Sequence, residues 1–180
     1  RRCARRCLRL APDGVRAGFV LPWDAGGCRI SCGHRDAPRA VVMQAVADGA
    51  AGVTHLFNAM PALSAREPGI IGAALTERRL TAGLIVDGIH VDPVSVLTAF
   101  TAKGADRIAL VTDAMPTVGT SLDRFELMGR TIKFSDGRLT SEGDTLAGAQ
   151  LDMASAVRNA VRPARPPTDR APPGPPPPPV

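Results

Sequence analysis

Five short apolar runs recur along the chain, and most are followed by a stretch with helical spacing. They are Cys7-Leu8-Arg9-Leu10, Arg29-Ile30-Ser31-Cys32 closed by Gly33, Gly52-Val53-Thr54-His55-Leu56, Thr81 to Val86, and Arg107 to Val111. Runs of this length predict strands buried on both faces of a parallel sheet. The intervening segments predict helices. Asp36 caps the first, with Pro38 near its first turn, and it runs through Val41, Val42, Ala45 and Val46 to Gly49. Gly69 to Glu77 is the second. Asp92-Pro93 opens the third, through Val96, Leu97 and Phe100 to Gly104. Alternation of this kind predicts an α/β fold. Beyond Asp113 the pattern changes. Thr131 to Phe134, the tight turn Asp136-Gly137, and Arg138 to Thr140 predict a hairpin, and a last helix follows over Leu151 to Val161.

Charge and proline sharpen the boundaries. The net charge of +5 is carried by the ends: Arg1 to Arg9 hold five arginines, and Arg162 to Val180 hold three with one acid, Asp169. The body between them is slightly acidic, which argues against a basic nucleic-acid face. Tyrosine is absent, so stacking platforms for single-stranded nucleic acid are poorly supplied. Ten of the 17 prolines lie between Pro163 and Val180, and this predicts an extended or disordered tail over 162–180 behind a body of 8–161.

No run of about 18 apolar residues is present, and the arginine-rich start lacks the apolar segment of a secretory signal. The expectation is a cytoplasmic protein with no membrane partner and reduced thiols. Cys3, Cys7, Cys28 and Cys32 form two C-x3-C pairs. That spacing is wider than the C-x2-C turns of zinc knuckles and favours ordinary thiols.

The chemistry-bearing residues follow the predicted strands. His34 follows the second, His55 ends the third, Asp87 and His90 follow the fourth, and Asp113 follows the fifth. In parallel α/β folds the carboxyl ends of the strands converge on one rim, where sites form. The chain has only three histidines, and all three fall there. Each has an ordinary reading as well. His34 suits a loop, His55 a satisfied core histidine, Asp113 a turn cap, Asp87 an Asp-Gly turn, and Arg66 a solvated charge. Together His34 and His55 suit two neutral imidazoles on a divalent metal, and Asp113 suits a general base for an activated water. Arg66 suits a clamp on phosphate or carboxylate, with backbone N–H groups added by the loop before Gly69.

Thr54-His55-Leu56-Phe57-Asn58-Ala59-Met60, Arg66-Glu67-Pro68-Gly69, Asp87-Gly88-Ile89-His90-Val91-Asp92, Val111-Thr112-Asp113-Ala114 and Gly143-Asp144-Thr145-Leu146-Ala147-Gly148 resemble, in order, motifs of N-acetylglucosamine-6-phosphate deacetylase. That family is a branch of the metal-dependent amidohydrolases, which are (β/α)8 barrels. The resemblance implies that His34 and His55 are metal ligands, for zinc or else iron, and that Asp113 is catalytic. It implies substrate contacts at Asn58, Ala59, Arg66, Asp87, Gly88, Ile89, His90, Leu146, Ala147 and Gly148. The activity implied is hydrolysis of the N-acetyl group of N-acetylglucosamine 6-phosphate, and the assembly implied is a homodimer.

Two departures limit what the resemblance implies. Only five barrel strands are predicted, and they resemble the family's fourth to eighth. The family's His-x-Glu-Gly-Pro motif, with its carboxylate ligand, has no counterpart in this sequence. The expected fold is therefore an incomplete barrel, and the alternatives are a catalytically inactive fragment or another metal-dependent amidohydrolase.

Overall fold

A computed structural model describes residues 7–11, 28–33 and 36–161. The predicted tail over 162–180 and His34 lie outside the described residues. Five strands form one parallel sheet in sequential order: β1 (Cys7–Leu10), β2 (Arg29–Cys32), β3 (Gly52–Val53), β4 (Thr81–Leu84) and β5 (Ile108–Leu110). Helices α1 (Arg39–Ala47), α2 (Gly69–Thr76) and α3 (Pro93–Lys103) make the crossovers between β2 and β5. The sheet is open: the described strands do not close into a barrel.

The strands are not buried on both faces throughout, contrary to the reading of their apolar runs. β1 and β2 alternate. Leu8, Leu10, Ile30 and Cys32 pack with the helices, whereas Cys7, Arg9 and Arg29 are exposed. β4 alone is nearly continuously buried. The period of two places small and polar residues (Ser31, Gly52, Thr81, Gly83, Ala109) on the opposite side of the sheet from the core. The helix-side core joins Ile30, Val42, Val53, Leu56, Ile70, Leu80, Leu84 and Ala99. α2, sequence GIIGAALT, is buried along Gly69 to Leu75 and packs between α1 and α3.

The helix ends show which local signals operate. Asp92 caps α3, its Oδ1 accepting from the Val94 N–H at 2.8 Å with Pro93 next in line, as the sequence predicts. Asp36 does not cap α1. The cap residue is Pro38, which has no side chain to accept an N–H, and the first-turn N–H of Arg39 goes instead to Glu67 Oε1 at 2.8 Å. Lys103, at the end of α3, is 6% exposed and donates from Nζ to the Glu77 carbonyl at 2.5 Å just beyond α2. Burial lowers its pKa, and this bond supplies the partner that a buried ammonium requires.

The predicted hairpin belongs to a three-stranded antiparallel meander: β6 (Arg124–Leu127), β7 (Arg130–Ser135) and β8 (Arg138–Thr140). Asp136-Gly137 joins β7 to β8 with both residues at positive φ, 51° and 78°, the twist a two-residue hairpin loop needs. Met128-Gly129 repeats this between β6 and β7, with φ of 51° and 75°. Helix α4 (Met153–Val161) returns the chain to the parallel sheet, where Leu151 and Ala156 join Ile85 and Ala149 in a second small core.

Candidate functional site

A cavity of about 700 Å³ opens on the side of the sheet away from the helical core. Its polar lining includes Arg29, Ser31, Thr54, His55, Thr81 and Asp113. His55 and Asp113 enter from segments that continue β3 and β5. Both sit where an L-residue is strained, with φ of 33° at His55 and 48° at Asp113. Phe57 and Ala59 extend the strain along the first loop, with φ of 76° and 51°. Four non-glycine residues in the left-handed region, in the two loops that carry these groups, are a concentration typical of functional sites.

Backbone hydrogen bonds hold this geometry. Thr54 N–H donates to the Cys32 carbonyl at 2.8 Å, and Leu56 N–H donates to the Gly83 carbonyl at 2.7 Å. Between those anchors the chain must turn at His55, so β3 ends after two residues rather than running on to Leu56. Gly83 leaves room for the turn: a Cβ there would lie 3.2 Å from His55 N and 3.4 Å from Val111 Cγ1. His55 itself is 4% exposed. Burial lowers its pKa, more than hydrogen bonding and the Asp113 charge raise it, so the ring is neutral at pH 7.

The Asp113 loop is bound to Ala149 and Gln150, which directly follow Leu146–Gly148. Ala149 N–H donates to the Asp113 carbonyl at 2.9 Å, and Met115 N–H donates to the Ala149 carbonyl at 3.2 Å. Thr117, fully buried, donates from its hydroxyl to Gln150 Oε1, while Gln150 Nε2 donates back to the Thr117 carbonyl at 3.1 Å. On its other side the segment joins the meander, through Ala147 N–H to the Leu139 carbonyl at 3.0 Å. The meander is thereby connected to the cavity wall, a link the hydrophobic pattern does not reveal.

The remaining predicted residues lie in neighbouring loops and do not line this cavity. Asn58 donates from Nδ2 to the Leu56 carbonyl at 3.3 Å and so braces its own turn. Ala59 is exposed in the same turn. Arg66 is exposed in a loop organised by the adjacent Glu67. Glu67 Oε1 accepts from the backbone N–H groups of both Arg39 and Gly69, at 2.8 and 3.0 Å, and so ties together the starts of α1 and α2. Within the loop before Gly69, read from sequence as a source of N–H groups for an anion, the Glu67 N–H already donates to Ser64 Oγ at 3.1 Å, and the Gly69 N–H is engaged as well. Glu67 was not singled out by sequence reasoning, and its one signal is an acid two residues before a helix that starts with glycine.

Those two N–H donors lower the Glu67 pKa from 4.5. A depressed carboxylate contributes stability that is present above its unfolded pKa and lost as pH falls through the folded one. Glu67→Ala is therefore expected to melt a few degrees below the parent chain at pH 7. The gap should narrow as pH drops below 4.5, in thermal melts followed by circular dichroism. An equal gap at pH 7 and pH 3 would refute the charged-clamp account.

Asp87 to His90 form a closed turn after β4. Asp87 Oδ1 accepts from the N–H groups of Ile89 and His90, at 2.9 and 2.8 Å, and Oδ2 lies 2.6 Å from His90 Nδ1. Gly88 takes φ 76° to close the turn. Burial acts to raise the Asp87 pKa, but the hydrogen bonds from the His90 ring and the two N–H groups outweigh it, and the net shift is downward.

A neutral imidazole and a carboxylate on the wall of one cavity are donors that a borderline divalent cation accepts. Among the described residues no group of three or more His, Cys, Asp or Glu side chains is placed to hold a metal ion. Among the same residues no helix is long and apolar enough to cross a membrane.

No protein-family model matches the chain. It is 43% identical over 163 residues to an N-acetylgalactosamine-6-phosphate deacetylase from Shewanella sp. (strain ANA-3), covering 87% of this chain and 40% of that one. The crystal structure of N-acetylglucosamine-6-phosphate deacetylase from Pasteurella multocida superposes with a TM-score of 0.83 at 35% identity, covering 88% of this chain and 41% of that chain. An aspartate-to-alanine variant of the Mycobacterium smegmatis enzyme, in complex with N-acetyl-D-glucosamine-6-phosphate, superposes with a TM-score of 0.83 at 33% identity, covering 88% and 42%. The chain thus spans about two fifths of the length of the relatives it matches.

Proposed function

The chain is similar, over almost nine tenths of its length, to the C-terminal part of the N-acetylhexosamine-6-phosphate deacetylases, and on that premise we propose that it serves their reaction: hydrolysis of the N-acetyl group of an amino-sugar 6-phosphate to the free amine and acetate. The observation that carries this reading is the pairing of His55 and Asp113. Both line one cavity, and both are held in strained backbone by loops that follow β3 and β5.

In this reading His34 and His55 hold a divalent cation, zinc or else iron. When bound, it supplies Lewis acidity to a water and to the acetyl carbonyl. Asp113 takes a proton from the attacking water and returns it to the departing amine nitrogen, so the C–N bond breaks without expelling an amide anion. Arg66 and His90 engage the 6-phosphate. Asn58, Ala59, Gly88 and Ile89 contribute to the sugar site, and Leu146, Ala147 and Gly148 cover it through the backbone. The resemblance groups Asp87 with these residues as well. A phosphorylated sugar does not diffuse across a membrane, which fits a cytoplasmic protein without a membrane partner. Homodimerisation and the absence of a nucleic-acid partner complete the proposal, together with the division into a body over 8–161 and a proline-rich tail.

The relatives include enzymes named for both the galacto and the gluco substrate, which differ at one ring hydroxyl. Acetate release should therefore be measured with N-acetylglucosamine 6-phosphate, N-acetylgalactosamine 6-phosphate and the unphosphorylated sugars, with and without zinc. The expected result is metal-dependent release from the phosphorylated sugars only. Equal rates on unphosphorylated sugars would favour another amidohydrolase activity.

The two-fifths coverage and the open sheet favour a second reading of the same site. In it these residues are the last five strands of a (β/α)8 barrel and turn over substrate only together with the rest of it. Acetate release that appears only when the preceding strands of a relative are joined to this chain would select that reading.

A further inference from the structure

Asp87 shares a hydrogen-bonded turn with His90, and three of the roughly four acceptor sites of its carboxylate are already used. One oxygen is occupied by two backbone N–H groups and the other by the imidazole Nδ1. The two side chains are 9% and 7% exposed, so the pair is shielded from water. A carboxylate only accepts, so the ring must place a proton on Nδ1. Among the described residues the hydrogen bonds to this ring run through Nδ1 alone, which leaves Nε2 as its uncommitted polar atom.

We propose that Asp87 is a positioning residue, acting through His90 rather than on the substrate. By accepting Nδ1–H it fixes the orientation of the ring and, when the ring also carries a proton on Nε2, lets that N–H donate to the phosphate of the substrate. The inference rests on the functional reading above, in which His90 engages the 6-phosphate. It separates Asp87 from the residues that touch the sugar.

Asp87→Asn tests it, because an amide cannot reproduce both contacts. With its oxygen kept on the two backbone N–H groups, its NH2 faces Nδ1, which must then accept. The ring's proton then sits on Nε2, with no carboxylate to balance a second one on Nδ1. A neutral N–H donor to phosphate is weaker than a charged one. The first measurement is the ¹⁵N spectrum of the imidazoles in the purified chain at pH 8, with His90 assigned from a His90→Gln sample. The parent should carry its proton on Nδ1 and Asp87→Asn on Nε2. The second is a titration with inorganic phosphate at pH 6 on the same samples, where the affinity read at the His90 resonance should fall about tenfold in Asp87→Asn. Asp87→Ser keeps an acceptor for the turn but removes the ring's partner. It should give mixed tautomers and an intermediate affinity, and it serves if the Asn chain folds poorly.

An unchanged tautomer in Asp87→Asn overturns the proposal. So does a parent His90 that ignores phosphate, or a phosphate affinity that is unchanged in the variants. Neither measurement needs turnover. A chain that passes both but releases no acetate, even when joined to the preceding strands of a relative, would overturn the deacetylase reading alone.

Discussion

Asp113→Asn is expected to lower acetate release from N-acetylglucosamine 6-phosphate by roughly 10²–10⁴-fold, the range a positioned general base supplies. The substitution is chosen for what it preserves. Asp113 occupies the left-handed region with φ 48°, and asparagine tolerates that region better than other non-glycine residues. The bond from Ala149 N–H at 2.9 Å is made to the backbone carbonyl, so the link to Ala149 survives the change. What is lost is the ability to hold a proton in the cavity that His55 shares. Melting temperature and KM should therefore stay near the parent values while kcat falls. Asp113→Ala would confuse the result, because alanine at positive φ adds a backbone cost of about 1 kcal/mol. The comparison applies to whichever form of the protein releases acetate. An Asn variant within threefold of the parent kcat would exclude Asp113 as the base.

The residues that make this prediction possible were only partly legible in the sequence. The order of strands and crossover helices follows from apolar runs broken by Gly, Pro and Asp, and β1, β2 and α3 begin and end where those signals fall. The alternation Cys7-Leu8-Arg9-Leu10 already encodes a one-sided strand, and reading it as buried on both faces gave the shape of the run more weight than its period. His55 and Asp113 were legible as chemistry but not as geometry. Their positive φ comes from hydrogen bonds to Gly83 and Ala149, which are distant in sequence, and no local propensity predicts it. β6 was missed because Arg-Phe-Glu-Leu is short and exposed, and because Met128-Gly129 lacks the Asn or Asp that usually announces a hairpin turn. Glu67 was missed for a related reason: its partners are backbone N–H groups on two helices, and those leave no mark in composition.

Gly72→Ala should be the most damaging small substitution in the body of the fold. By helix propensity alone it is favourable, since alanine in a helix interior is about 1 kcal/mol better than glycine. The position forbids it. A Cβ on Gly72 would lie 2.3 Å from Pro68 Cβ, 3.1 Å from Pro68 Cγ and 3.3 Å from Leu63 Cδ1. Leu63 can rotate away, but the proline ring cannot, because its φ is fixed by its own covalent closure. Relief must come from the backbone, and α2 is buried along almost its whole length between α1 and α3. Overpacking in such a place costs about 1–3 kcal/mol. Here it must also overcome the propensity gain, so a net loss of about 1 kcal/mol, and up to about 2, is the expected figure. The strain would reach the candidate site as well, because Pro68 follows Glu67, whose clamp on Arg39 and Gly69 sets the loop that carries Arg66. Denaturant melts of Gly72→Ala, Pro68→Gly and the double variant form a cycle that isolates the contact. The double variant should recover much of the loss, since glycine at 68 removes the ring. A Gly72→Ala chain as stable as the parent would mean that Pro68 yields without cost, and that the glycine is not required by this close approach.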